Sequence, residues 1–172
     1  MKFKFTMIVF LSFILFGFFF WNVAQSDTST ILKSKSGFNM KTVEKGLYLA
    51  RITGCNDCHT AGYLMSEGKV PVDQWLKGDN FGWSGPWGTT YGTNLRLLIH
   101  ELTEKGWIEF ATTLKVLPPM PWFNLNIMTH EDLKAIYQFI RYLGASGKPA
   151  PANLPPGQQP AGPHAIFPPP PK

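Results

Sequence analysis

The chain has 172 residues, a formal charge of +5 and only two cysteines. No block of consecutive Lys or Arg occurs, which argues against nucleic-acid binding. The mild positive excess suits docking to an acidic protein patch or simple solubility, and the length suits one domain.

Lys2 and Lys4 precede an apolar run from Phe5 to Val23, interrupted by Thr6, Ser12, Gly17 and Asn22. Residues 1–26 therefore read as a signal peptide or a membrane anchor. The run of about 19 residues exceeds the usual apolar core of a signal and approaches a membrane span. Ala24-Gln25-Ser26 offers small residues for cleavage, but the length favours a retained anchor. Lys2 and Lys4 keep the N-terminus in the cytoplasm, so the remainder faces the exported side, the periplasm. Without these two lysines the formal charge falls to +3.

Residues 27–38, rich in Ser, Thr and Lys, read as a linker. A first helix is predicted over Met40–Ile52, with Val43, Gly46, Leu47 and Ala50 on one face. Two of these are small and allow close approach of another helix. Gly54 stops the helix. Cys55-Asn56-Asp57-Cys58-His59 follows, a C-x-x-C-H sequence, the attachment pattern of a c-type haem. Outside the cytoplasm a free cysteine pair tends to form a disulfide, and thioether bonds to haem remove that fate.

Residues 60–94 hold many glycines and aromatics without a period, so loops are expected, with a short helical turn near Val72–Leu76. Leu95, Leu98, Ile99 and Leu102 have helical spacing. So do Trp107, Phe110, Ala111 and Leu114. Pro118, Pro119 and Pro121 impose extended backbone around Met120. The last helix starts at Thr129, an N-cap followed by Asp132, and runs through Leu133, Ile136, Tyr137 and Ile140 to a stop at Gly144. Ten of the fifteen prolines fall within residues 148–172. This tail is either a disordered polyproline-like extension or a strap over the domain, anchored by Ile166 and Phe167.

A c-type site needs two thiols, Cys55 and Cys58, and a proximal imidazole, His59. A ligating His commonly gives its other ring nitrogen to a backbone carbonyl, here assigned to the Gly85-Pro86 region. Candidates for the sixth iron ligand are Met40, Met65, Met120, Met128, His100, His130 and His164. Met120 leads, because stiff flanking prolines can aim its thioether; Met128 is read as core packing, and His100 would give bis-His ligation. A thioredoxin-like disulfide wants a βαβ pattern that the chain lacks. A structural zinc wants four ligands, and no second C-x-x-C or H-x-x-x-H exists. Trp83, Trp87, Trp107 and Trp122 are core residues by default, any of which could donate to a haem propionate. Arg96 could pair with a propionate, against a solvated role. Lys69, Lys77, Lys115 and Lys134 either ring a haem edge or are ordinary surface.

Gly46-Leu47-Tyr48-Leu49-Ala50 leading to Cys55–Thr60, then Pro118-Pro119-Met120-Pro121-Trp122, then the helix over residues 132–143, resemble the class I cytochrome c family. The likeness covers residues 42–144. Within the family it is similar to the cytochrome subunits of membrane-bound alcohol and sugar dehydrogenases, which carry an Asn-Leu segment like Asn94-Leu95. The resemblance implies an all-α cytochrome c fold over residues 39–147, with one covalently bound haem c and Met120 as its distal ligand. It also implies terminal helices crossing with Gly46 against Tyr137. The chain departs from those subunits in having a single haem motif, Arg96-Leu97-Leu98-Ile99-His100 in place of a polar turn, and the Pro-rich tail.

The expected function is a single-electron carrier, not an enzyme, between a membrane dehydrogenase or terminal oxidase and other exported redox partners. The N-terminal segment would hold it at the membrane. The alternatives are a haem-based enzyme subunit or gas sensor with a displaceable sixth ligand, and a redox-inert docking subunit whose tail binds a complex.

Overall fold

The computed structural model describes residues 32–168. The apolar leader lies outside the described residues, as do residues 27–31 of the linker. Among the described residues no helix is long and apolar enough to cross a membrane.

Helix α1, Met40–Ile52, buries Val43, Gly46, Leu47 and Ala50, the face expected from their spacing. Asn39 caps it by accepting from the Thr42 amide at 3.3 Å. The single turn α2, Cys55–His59, follows. Helices α3, Leu95–Glu101, and α4, Glu104–Thr113, start at Asn94 and Thr103, whose side chains accept from the Leu97 and Gly106 amides. A one-turn helix α5, Trp122–Asn126, follows the proline segment, where the sequence predicts no element. Its five residues are too few to show a period.

Helix α6, His130–Leu143, is the central element. Thr129 accepts from the Asp132 amide at 3.1 Å, and Gly144 ends the helix with φ +80°. Beyond the predicted stripe of Leu133, Ile136, Tyr137 and Ile140, it also buries Ala135 and Phe139. The two buried sides serve different neighbours, α1 on one and α3 and α4 on the other. A Cβ on Gly46 would lie 2.0 Å from the Ala135 carbonyl oxygen and 2.6 Å from the Phe139 Cβ. Gly46 thus faces Ala135 and Phe139, not Tyr137. Two residues around a helix is about 200°, so Tyr137 turns to the far side. There its hydroxyl donates to the Leu102 carbonyl at 3.0 Å.

The fold is not all-α. Strands β1, Gly82–Gly85, and β2, Gly88–Tyr91, form an antiparallel hairpin, and β3, His164–Ile166, pairs with β1 in parallel, giving the order β2-β1-β3. These strands are only three or four residues long and carry glycine at three positions, too short and irregular for alternation to register. The turn cue was Gly85-Pro86-Trp87-Gly88. Proline presets the bend, and Gly88 takes φ +99°. The tail is the strap: Leu154 bridges Thr89, and β3 lies along β1. A 3-10 turn, Val72–Gln74, occupies the region where a helical turn was expected.

Arg96 is buried and reaches neither a surface nor the cavity described below. Its guanidinium donates to the Gly144, Leu143 and Asp73 carbonyls. A cation on the last carbonyls of α6 satisfies groups that the helix end leaves open.

Candidate cofactor site

The site is built around α2. Gly54 adopts φ +75°, a left-handed conformation that suits glycine, and redirects the chain from α1 into the turn. One helical turn puts Cys55 and Cys58 on a common face. Both thiols are free and line a cavity of about 580 Å³, within the roughly 300–1,000 Å³ range of ligand pockets. Burial pushes the Cys55 thiol up, and burial with Asp57 and Asp79 nearby pushes Cys58 up to about 11. A redox C-x-x-C pair has the opposite bias, toward thiolate.

His59 also lines the cavity. Its Nδ1 lies 2.7 Å from the Thr93 carbonyl oxygen. A carbonyl only accepts, so Nδ1 carries the proton and Nε2 keeps a lone pair for a ligand. Burial lowers the His59 pKa and the Thr93 bond partly opposes it, so the ring is neutral. The partner is therefore Thr93, not the Gly85-Pro86 region, because the segment leaving β2 passes directly over α2. A Cβ on Gly92 would sit 1.7 Å from the Cys58 carbonyl oxygen. The Gly78 amide donates to the His59 carbonyl at 2.8 Å, and the Asp79 amide to Gly92 at 3.0 Å. Buried Asn94 fixes the next residue through its Nδ2, which donates to the Ser146 and Lys148 carbonyls at 2.9 and 3.0 Å. The Gly-Thr-Asn sequence before a helix was the available signal; nothing in its spacing pointed to His59.

Met120 lies in the cavity wall between Pro119 and Pro121. The hairpin holds this loop, since Thr90 Oγ1 donates to the Pro118 carbonyl at 2.8 Å. Met128 lines the same cavity. Its sequence position, just before the Thr129 cap, had pointed to core packing. Met65 is 91% exposed, and Met40, His100, His130 and His164 are not in the lining. Two thioethers therefore share the cavity with His59. The remaining wall is mainly apolar, including Leu95, Leu98, Phe110 and Ile136.

Of the four tryptophans, Trp83 and Trp107 reach the cavity. Trp107 Nε1 donates to Leu133 at 2.8 Å, and Trp87 Nε1 to the Trp83 carbonyl at 3.3 Å. Trp83 Nε1 is buried without a partner. Such a donor is costly unless a bound group accepts from it. The four lysines stand clear of the lining: Lys69 pairs with Glu67, Lys134 with Glu104, Lys77 meets Gln74, and Lys115 lies over Trp122.

This arrangement offers two thiols for covalent attachment, one neutral imidazole and a soft sulfur ligand inside an apolar wall. Among the described residues no three His, Cys, Asp or Glu side chains gather to hold a bare metal ion. Comparison of the chain with protein-family models, with curated proteins and with solved structures finds no match.

Proposed function

We propose that the chain is a mono-haem c-type cytochrome that carries single electrons between exported or membrane-bound redox partners. The observation that carries this reading is the meeting of Cys55, Cys58, His59 and Met120 at one cavity, although Met120 follows His59 by 61 residues. The residues present fit the group. Cys55 and Cys58 would hold it through thioethers, His59 Nε2 would ligate the iron, and Met120 would supply the sixth ligand. When bound, haem c supplies a one-electron ferric–ferrous couple.

The chain's own contribution is positional. The Thr93 carbonyl fixes the His59 tautomer and ring plane and makes Nε2 a stronger donor. The apolar walls limit water, which favours the less charged ferrous state, as does a methionine ligand. Trp83 Nε1 gives an acidic substituent a place to accept. His59 and Met120 would both serve as ligands, so no substrate site at the iron would be required, which favours a carrier over an enzyme or gas sensor.

The test is the mass and reduced-minus-oxidised spectrum of the purified exported protein, with Met120→Ala and Met128→Ala beside it. The expected results are one covalent haem, a long-wavelength Met-linked absorption and no reaction with carbon monoxide. Met120→Ala should keep the haem, lose the Met-linked absorption and bind carbon monoxide. Met128→Ala should keep all three properties. A wild-type protein without covalent haem overturns the reading. Ready carbon monoxide binding by wild type would favour the displaceable-ligand alternative, and reversed behaviour of the two variants would make Met128 the ligand.

A further inference from the structure

We propose that the Pro-rich tail is a working part of the cofactor site, with Asn153 as a positioning residue; this rests on the cytochrome reading above. The tail bonds both outer edges of the hairpin. On the β2 edge, Leu154 and Thr89 exchange two amide–carbonyl bonds of 2.9 Å. The Tyr91 amide donates to Asn153 Oδ1 at 3.3 Å. On the β1 edge, Gly82 donates to the Pro163 carbonyl at 3.0 Å, and Phe167 donates to Ser84 at 2.8 Å. The Phe167 ring packs on Trp83 and Trp87, with centroids 6.0 and 5.6 Å away. The approach is close enough that a Cβ on Gly88 would lie 2.1 Å from the Leu154 carbonyl oxygen.

A two-stranded hairpin of four-residue strands is marginal alone, and a third strand stabilises it. Here β3 is that strand, and the tail prolines limit the freedom lost when the segment orders. The hairpin in turn presents Trp83, Thr90 and Tyr91 to the cavity, and Asn153 itself joins the lining. Tyr91 is followed by Gly92 and Thr93, whose carbonyl holds His59. The tail therefore steadies the strand that ends at the proximal tether and closes the wall on that side. Its loss should leave attachment chemistry intact while admitting water, which lowers the midpoint potential.

Three proteins decide the matter: the full chain, a version lacking residues 149–172, and Asn153→Ala. The expected result is unchanged covalent haem with a lower midpoint potential in both variants, more so in the truncation. Amide exchange at Tyr91, and at Asp79, whose amide donates to the Gly92 carbonyl, should accelerate at least about tenfold on truncation as local opening of this segment becomes easier. Should the truncation fail to fold, Asn153→Ala decides alone. Unchanged or raised potential, or unchanged exchange at Asp79, overturns the proposal. Exchange is compared between full chain and truncation in the same haem state, so a wild-type protein without covalent haem would sink the cytochrome reading while the exchange comparison still judged the tail.

Discussion

The cavity has two unlike sides. On one, α1 and α6 cross with their apolar faces buried, and neighbours α3 and α4 fill the other flank of α6. On the other, the hairpin, the segment 92–94 and the tail are joined by specific backbone bonds and by glycines with no room for a side chain. The helical side is held by area removed from water, which averages over many atoms. The hairpin side is held by a few directional contacts, each of which fixes one functional group. The first side should tolerate functional change while losing stability in proportion to volume. The second should lose site geometry from small edits.

The largest expected effects come from glycines, one on each side. Gly46→Leu would drive a side chain into the Ala135 carbonyl, and the helices must separate. A loss of about 3 kcal/mol or more is expected, at the upper end for overpacking, measured as the fall in urea unfolding free energy. Gly92→Ala places its Cβ where the Cys58 carbonyl oxygen lies, 1.7 Å away. The rigid backbone on both sides cannot yield as a side chain would. The yield of covalently loaded protein should fall sharply, and the loaded fraction should show a disturbed His59 environment by NMR. A normally loaded, undisturbed Gly92→Ala would erase the contrast between the two sides.

Leu47→Ala stays within the helical side. Leu47 is wholly buried, so a loss of about 2–5 kcal/mol is expected. The haem spectrum of the folded fraction should not change. Thr90→Val tests the other side with a smaller energy. It removes the 2.8 Å bond from Thr90 to the Pro118 carbonyl that holds the Met120 loop. About 1 kcal/mol of stability should go, yet the Met-linked absorption should weaken. If Leu47→Ala altered that absorption more than Thr90→Val, the division of labour would be wrong.

The same division explains what the sequence could say. Val43, Gly46, Leu47 and Ala50 announce α1 because a helix repeats its geometry, and Thr129 and Gly144 mark α6 because caps have their own chemistry. The Cys55–His59 motif announces itself because attachment requires adjacent residues. The hairpin escaped because strands of three or four residues hold too few repeats, and β3 lies more than seventy residues from its partner β1. Thr93 escaped for a different reason. Its carbonyl does the bonding, and a backbone carbonyl carries no residue identity. Met128 is read as packing from its place beside a helix cap, and the structure adds that this packing faces the cavity, which the spacing of a five-residue turn such as α5 does not reveal.

The smallest expected effect belongs to the helical side and depends on pH. His100 on α3 has a buried Nε2 without a partner, and its Nδ1 lies 3.5 Å from the Arg141 guanidinium. Burial first, then the Arg141 and Arg96 charges, lower its pKa below the usual value. A histidine with a lowered folded pKa binds fewer protons folded than unfolded once pH drops below the unfolded value of about 6.5. Stability from this group is therefore intact above that pH and declines as pH falls toward the folded pKa. His100→Gln removes the titration while keeping a polar group. Urea midpoints of both proteins at pH 7.5 and 5.5 should show a smaller acid loss in the variant. Other carboxylates and histidines titrate in both proteins, so the difference between the two losses isolates His100. Equal losses would mean that solvent reaches the ring freely and that the α3–α6 contact is looser than its buried neighbours Ile99 and Ile140 indicate.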